Sequence, residues 1–153
     1  MDYSVVLLDK LPQPILSIRS RVKRGDVGRA LEEGVAEIQA YLARIGRESV
    51  GPPCARVRLV GTGELDLDVG VPVPHGLSGE GRIRLRQLPS GSVAVTQHYG
   101  PLARLREAYV AVEEWIAREG AESRGAPWEI YWSEPSEESD PLGWRTELLW
   151  PVG

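Results

Sequence analysis

The sequence predicts an α+β fold made of a duplicated strand-helix-strand-strand unit. Its antiparallel sheet carries two helices on one face and a central ligand pocket on the other. Three observations predict it. Residues 43–53 (ARIGRESVGPP) and 117–127 (AREGAESRGAP) are identical at seven of eleven paired positions. The stretches before them align at the same offset, with Leu31 over Leu105, Glu33 over Glu107, Tyr41 over Trp115 and Leu42 over Ile116, and both have helical periodicity. After each helix come two short segments of alternating side chains. A duplicated unit folds about a pseudo-two-fold axis and leaves a crevice where the copies meet. At 153 residues the chain therefore reads as one domain of two repeats, 1–73 and 80–153, each marginal alone.

Taken in order, strands are expected over 3–8 and 15–22 around the Pro12-Gln13-Pro14 turn, where proline fixes φ and removes a donor. A helix follows over 27–45, with Val27, Leu31, Val35, Ile38, Tyr41, Leu42 and Ile45 as one buried stripe. Asp26 is its expected N-cap and Gly46 its stop. Strands over 55–60 and 65–71, joined by Gly61-Thr62-Gly63, complete the first unit. The Pro- and Gly-rich connector 72–81 leads to strands over 82–87 and 92–99. A second helix spans 102–118 with the stripe Leu102, Leu105, Tyr109, Val112, Trp115 and Ile116, and Gly120 ends it. Strands over 128–133 and 144–150 close the chain. The second copy holds five extra residues in its last hairpin, placed in the acidic segment 134–140, where insertions are tolerated.

Composition narrows the function classes. A net charge of −4 argues against a nucleic-acid surface, and the basic run 19–24 and the alternating Arg82, Arg84 and Arg86 read as solvated faces. A single cysteine, two histidines and no CxxC leave neither a disulfide nor a zinc site. Cys54 with His98 lacks the third group of a thiol nucleophile, and Gly61-Thr62-Gly63 lacks the lysine and spacing of a phosphate loop. No apolar stretch approaches the roughly 18 residues of a membrane span, and no leader opens the chain. The expectation is a soluble, cytoplasmic protein with no cofactor, no metal, no nucleic acid and no membrane partner.

Strand parity then sorts the side chains. Trp128, Ile130 and Trp132 share one face of their strand, opposite Glu129, Tyr131 and Ser133. The oily faces are assigned to the helices. The open face is expected to gather Glu129, Tyr131, Glu147, His98 and Asp68 beside small residues. In the repeat alignment Asp68 is the counterpart of Glu147, and Val57 of Tyr131. A carboxylate in a low-dielectric pocket needs a compensating cation, so this face points to an organic cation among carboxylates and aromatic rings.

At Gly100-Pro101, the Trp128-Glu129-Ile130-Tyr131 strand and the closing Arg145-Thr146-Glu147-Leu148-Leu149-Trp150-Pro151-Val152, the chain resembles the GyrI-like small-molecule-binding family. That family shares its fold with effector-binding domains of AraC-type and MerR-type multidrug regulators. The resemblance extends to Leu11-Pro12, the Gly51-Pro52-Pro53 junction and the His98-Tyr99-Gly100-Pro101 turn. It implies a stand-alone binder of hydrophobic, cationic small molecules. By the resemblance Glu147 would meet the cation and Tyr131 would help line the site, while strand parity and the repeat add Glu129, His98, Asp68, Leu149 and Val57 to the expected lining. Departures occur at Leu102, where the family often has tyrosine, and near Cys54 and Val57, where it often has aromatics. Two alternatives come with the resemblance. One is hydrolysis of cyclopropane-containing genotoxins, with Glu147 as general base and Tyr131 as proton donor. The other is inhibition of a topoisomerase through the acidic segment 134–140.

Overall fold

The computed structural model describes residues 3–133 and 144–153. Among these the elements run β1 (Val6–Lys10), β2 (Pro14–Lys23), α1 (Val27–Arg44), β3 (Cys54–Leu59), β4 (Glu64–Pro72), β5 (Arg84–Gln87), β6 (Gly91–Tyr99), α2 (Arg106–Glu119), β7 (Trp128–Tyr131) and β8 (Arg145–Pro151). All the strand pairs described below are antiparallel, and the α+β class holds. The acidic segment 134–140, with the insertion and the protein-contact role assigned to it, lies outside the described residues. No helix among the described residues is long and apolar enough to cross a membrane.

The chain forms two compact units: Gln13–Leu88, and the residues up to Pro12 together with those from Pro89 onward. In the first, the strands run β3-β4-β2-β5, with Leu16 opposite Val71, Ile18 opposite Val69 and Ala55 opposite Val69. Leu16, Ile18, Val71 and Val73 pack under Ile38 and Leu42 of α1. Gly34 allows this approach, since a Cβ there would stand 3.1 Å from Val69. Asp26 does occupy the N-cap position of α1, but its carboxylate accepts from Arg29 (3.0 Å) rather than from the backbone. Gly46, at φ 70°, takes the left-handed conformation just past the helix.

Gly70 is the tightest point of β4. A Cβ there would lie 2.9 Å from Ile15 Cδ1 and 3.0 Å from Cys54 Sγ. Overpacking of this kind costs about 1–3 kcal/mol. Gly70→Val is expected to lower stability by that amount in a urea melt, whereas Val substitution at an open strand position would be neutral or favourable.

The second unit runs β1-β6-β8-β7, with α2 laid over Ala94, Leu148 and Val152 through Leu105, Ala108, Val112 and Ile116. A 3₁₀ turn at Leu102–Arg104 precedes α2, so the helix proper starts later than its periodicity indicates. Gly120, at φ 68°, caps it as expected.

One strand pairing departs from the turn expected at Pro12-Gln13-Pro14, and another was left open by the sequence. β1 does not fold back on β2 but pairs with β6, Val6 opposite Val95 and Leu8 opposite Val93. β5, whose partner the sequence left open, pairs with β2, Pro14 opposite Gln87 and Ser17 opposite Arg84. The Pro12-Gln13-Pro14 link explains the first difference. Its prolines hold an extended backbone, which carries the chain onward instead of reversing it. Each strand-helix-strand-strand unit thus receives its fourth strand from the other half of the sequence.

Candidate functional site

The register of β6, β7 and β8 decides which side chains meet. Glu129 lies opposite Leu148 and Tyr131 opposite Thr146, while Ile130 lies opposite Glu147 and Trp128 opposite Leu149. Opposed residues of an antiparallel pair point to the same face. Leu148 belongs to the α2 cluster, so Glu129 and Tyr131 face α2, and Glu147 and Leu149 face away from it. The expectation that Glu129, Tyr131 and Glu147 share one open face is therefore wrong. Parity could not choose the covered face because both are buried, Trp128 at 3% and Ile130 at 4% exposure on one side and Glu129 at 8% on the other.

On the α2 side Glu129 sits between two phenols. Tyr131 donates to Oε1 at 2.6 Å, and Tyr109 of α2 donates to Oε2. Burial pushes the Glu129 carboxyl above the usual carboxylate range, while the two hydroxyl donors favour its charged form. Burial, and then the charge of Glu129, raises Tyr109 as well, so that phenol stays a donor at neutral pH. Trp150 meets the Tyr109 ring edge-on at 6.0 Å. Among the described residues no cationic side chain pairs with Glu129. The site is a desolvated carboxyl ringed by aromatic groups, with its charge unmatched.

Glu147 stands in a different network. Gln97 donates to Oε2 at 2.8 Å and the Trp132 indole to Oε1 at 3.2 Å. Arg145 donates to the Gln97 carbonyl at 2.9 Å and lies 4.9 Å over the Trp132 ring. A half-buried carboxylate with two donors and a nearby guanidinium is already compensated. Because Glu147 and Tyr131 project from opposite faces of the sheet, they do not form an acid-base pair on one substrate atom.

The remaining candidates are held by structural contacts. His98 is fully buried. Its Nε2 faces the Pro101 carbonyl at 2.9 Å, so that nitrogen carries the proton, and Nδ1 accepts from the Tyr3 hydroxyl at 2.8 Å. Asp68 is buried between Arg19 (2.9 Å) and Arg56 (2.8 Å), the central rung of an Arg-Asp-Arg row across β2, β4 and β3. It faces away from α1, as parity expects, but its charge is matched. Leu149 is buried opposite Val95 and Trp128. Val57 sits on the α1 side opposite Leu67. Burial pushes the Cys54 thiol up to about 12, which makes it an inert core residue. Among the described residues no group of His, Cys, Asp and Glu could hold a metal ion.

Sequence reasoning missed Tyr109, Gln97, Arg145, Arg19 and Arg56. Tyr109 was legible as part of the α2 stripe, and its hydroxyl was the signal, since a buried phenol requires a partner. The arginines of β2 and β3 alternate in step with Asp66 and Asp68, a pattern that becomes a ladder only once the register is known.

The family model described as the GyrI-like small molecule binding domain matches residues 1–153. No curated protein matches the chain. Among solved structures, the C-terminal domain of EcmrR superimposes with a TM-score of 0.81 at 19% identity, over 100% of this chain and 99% of that one. EcmrR in its DNA complex gives a TM-score of 0.83 at 20% identity, over 98% of this chain, which spans 57% of that protein. A hydrolase of Listeria innocua gives 0.72 at 14% identity, over 97% and 91% of the two chains. SAV2435 bound to tetraphenylphosphonium gives 0.65 at 14% identity, over 100% and 94%. At these identities the likenesses establish the fold.

Proposed function

The chain belongs to the GyrI-like family of small-molecule-binding domains, and from that premise we propose that it captures hydrophobic organic cations on the α2 side of β7, with Glu129 as the counter-charge. One observation carries this reading: Glu129 is a buried carboxyl, pushed toward its neutral form, with two phenol donors and no cation among the described residues. Only 8% of Glu129 is exposed, so a ligand has to displace the Tyr109 hydroxyl. A neutral molecule would at best replace one hydrogen bond. A cation gains the full attraction of a desolvated carboxylate and, from Tyr109, Tyr131 or Trp150, about 0.5–2 kcal/mol per ring. That SAV2435, of the same fold, holds tetraphenylphosphonium agrees in ligand chemistry.

The test is charge discrimination at constant shape. Tetraphenylphosphonium and tetraphenylborate are nearly the same size and opposite in sign. Calorimetric titration is expected to give binding of the phosphonium alone. Equal affinity for both ions would refute charge recognition.

A second reading is favoured by the 2.6 Å contact between Tyr131 and Glu129. This pair, in place of Glu147 with Tyr131, supplies a proton donor beside a carboxyl for hydrolysis of a strained cyclopropane. Incubation with a cyclopropanoid followed by mass spectrometry is expected to show addition of water by the wild type and none by Glu129→Gln. Substrate recovered intact from the wild type leaves binding alone.

A further inference from the structure

We propose that the β5 edge of the first unit holds a small oxyanion, bound by Arg86 and Ser17. Two buried side-chain polar atoms lack a hydrogen-bond partner among the described residues, Ser17 Oγ and Arg86 Nε. They are neighbours. β5 pairs with β2 so that Ile15 lies opposite Arg86 and Ser17 opposite Arg84. Ser17, Arg84 and Arg86 therefore project from one face, opposite to that of Leu16 and α1. Diagonal neighbours on such a pair stand within reach of a long side chain. Ser17 is fully buried and Arg86 half-buried.

The remaining arginines of this sheet are matched. Arg19 and Arg56 share Asp68, Arg21 and Arg58 share Asp66, and Arg82, just before β5, pairs with Glu37. Among the described residues no acid pairs with Arg84 or Arg86. The alternating arginines, expected to form a solvated face, are thus divided: Arg82 is a surface ion pair, and Arg86 holds a buried donor without an acceptor. A guanidinium has five donors and no acceptor, and a serine hydroxyl can donate. Three donors with no carboxylate among them select a ligand that accepts hydrogen bonds and carries negative charge, and charge-assisted bonds of this kind are short and strong. Asp68, the nearest acid on that face by register, is taken by Arg19 and Arg56.

A cavity of about 290 Å³ at this edge is lined by Pro14, His75, Gly76, Leu85, Arg86 and Gln87, and by no acid. That volume stands at the lower limit of small-molecule sites, about 300–1,000 Å³, and suits phosphate or a short carboxylate rather than a drug-sized cation. Entry follows from the place of β5. The strand is four residues long, ends the strand order and pairs with β2 alone among the described residues, so it opens locally at low cost. Arg84 is exposed and directly opposite Ser17, and rotation of its side chain uncovers the hydroxyl and brings in a third donor. The site lies within the first unit and takes the opposite charge from the Glu129 site, so each can fail without the other.

Inorganic phosphate titrated at fixed ionic strength into isotope-labelled protein, followed by NMR, is expected to shift the Arg86 Nε–H resonance to a plateau. The Nε–H groups of Arg19 and Arg56, which already donate to Asp68, are expected to stay in place. Arg86→Lys identifies the resonance, keeps the charge and loses the planar fork, and is expected to weaken phosphate about tenfold or more. Ser17→Ala is expected to weaken it several-fold and, without phosphate, to raise Tm, because it removes a buried hydroxyl that has no partner. Succinate in a parallel titration separates the sources of the oxyanion: the probe that saturates at the lower concentration names phosphate or carboxylate. A shift that grows in proportion to both anions without a plateau, or that is matched at an exposed arginine such as Arg118, overturns the proposal. Unchanged phosphate affinity in Arg86→Lys or Ser17→Ala does the same. If Arg86→Lys fails to fold, the wild-type plateau and Ser17→Ala decide.

Discussion

Glu129→Gln is expected to weaken tetraphenylphosphonium binding by about 30- to 4000-fold at neutral pH, because truncating one partner of a buried charge pair typically costs about 2–5 kcal/mol. The substitution keeps side-chain volume and leaves one carbonyl oxygen for a tyrosine donor, so the fold is expected to survive it. Without ligand the variant gains stability at neutral and higher pH. The folded state holds the Glu129 proton more tightly than the unfolded chain does, because burial raises the carboxyl above its ordinary value. Wild-type stability from this group is therefore fully present below the ordinary carboxyl range and falls as pH rises through the raised value. The glutamine variant lacks that slope.

Cation affinity should run the other way. The cation requires ionised Glu129, so wild-type affinity rises with pH through the same window, and binding within it releases a proton. Titration in buffers of different ionisation enthalpy measures that release directly. An affinity independent of pH, or unaltered in Glu129→Gln, would place the counter-charge elsewhere. Glu147→Gln provides the comparison. Gln97, Trp132 and nearby Arg145 already compensate Glu147, and its replacement is expected to change affinity by less than a tenth as much.

Asp68→Ala is expected to cost about 2–4 kcal/mol of stability, since removing one member of a buried ion pair leaves charge uncompensated. The lower end applies because the Arg19 side chain is 45% exposed and water screens part of its charge, whereas that of Arg56 is 27% exposed. For a chain of this length that corresponds to a drop in Tm of roughly 4–16 °C, read by calorimetry. Cation affinity of the folded variant is expected to change little. Full stability with lost binding would restore Asp68 as a ligand contact. The two substitutions thus separate two buried carboxylates, one matched by arginines and one not.

Much of the fold was legible in the sequence. Apolar residues at three and four spacing marked α1 and α2, and Gly46 and Gly120 marked their ends, because helix periodicity and left-handed caps are local properties of a few consecutive residues. The repeat aligned Val57 with Tyr131, and the structure places each of them on the helix side of its own unit. Pairing partners were less legible. β1 and β5 are short, and nothing within five residues of sequence states which strand will accept their hydrogen bonds.

The candidate site divides along the same line. Glu129 and Tyr131 could be named from their strand, but the side they face could not, since Trp128 and Ile130 offer an equally apolar alternative. Glu147 illustrates the converse. Its position near the end of the last strand was plain, whereas the donors that satisfy it, Gln97 and Trp132, lie 50 and 15 positions away.

The sequence by itself determined the duplicated unit, its helices, and a surplus of acidic and aromatic side chains on its last strands. Only the tertiary structure decided which carboxylates are matched and which is not. The reason is that charge compensation in a sheet is set by cross-strand register: Arg19 and Arg56 meet Asp68 through two pairings, while β7 and β8 turn Glu129 toward a helix that offers it the Tyr109 phenol and no cation.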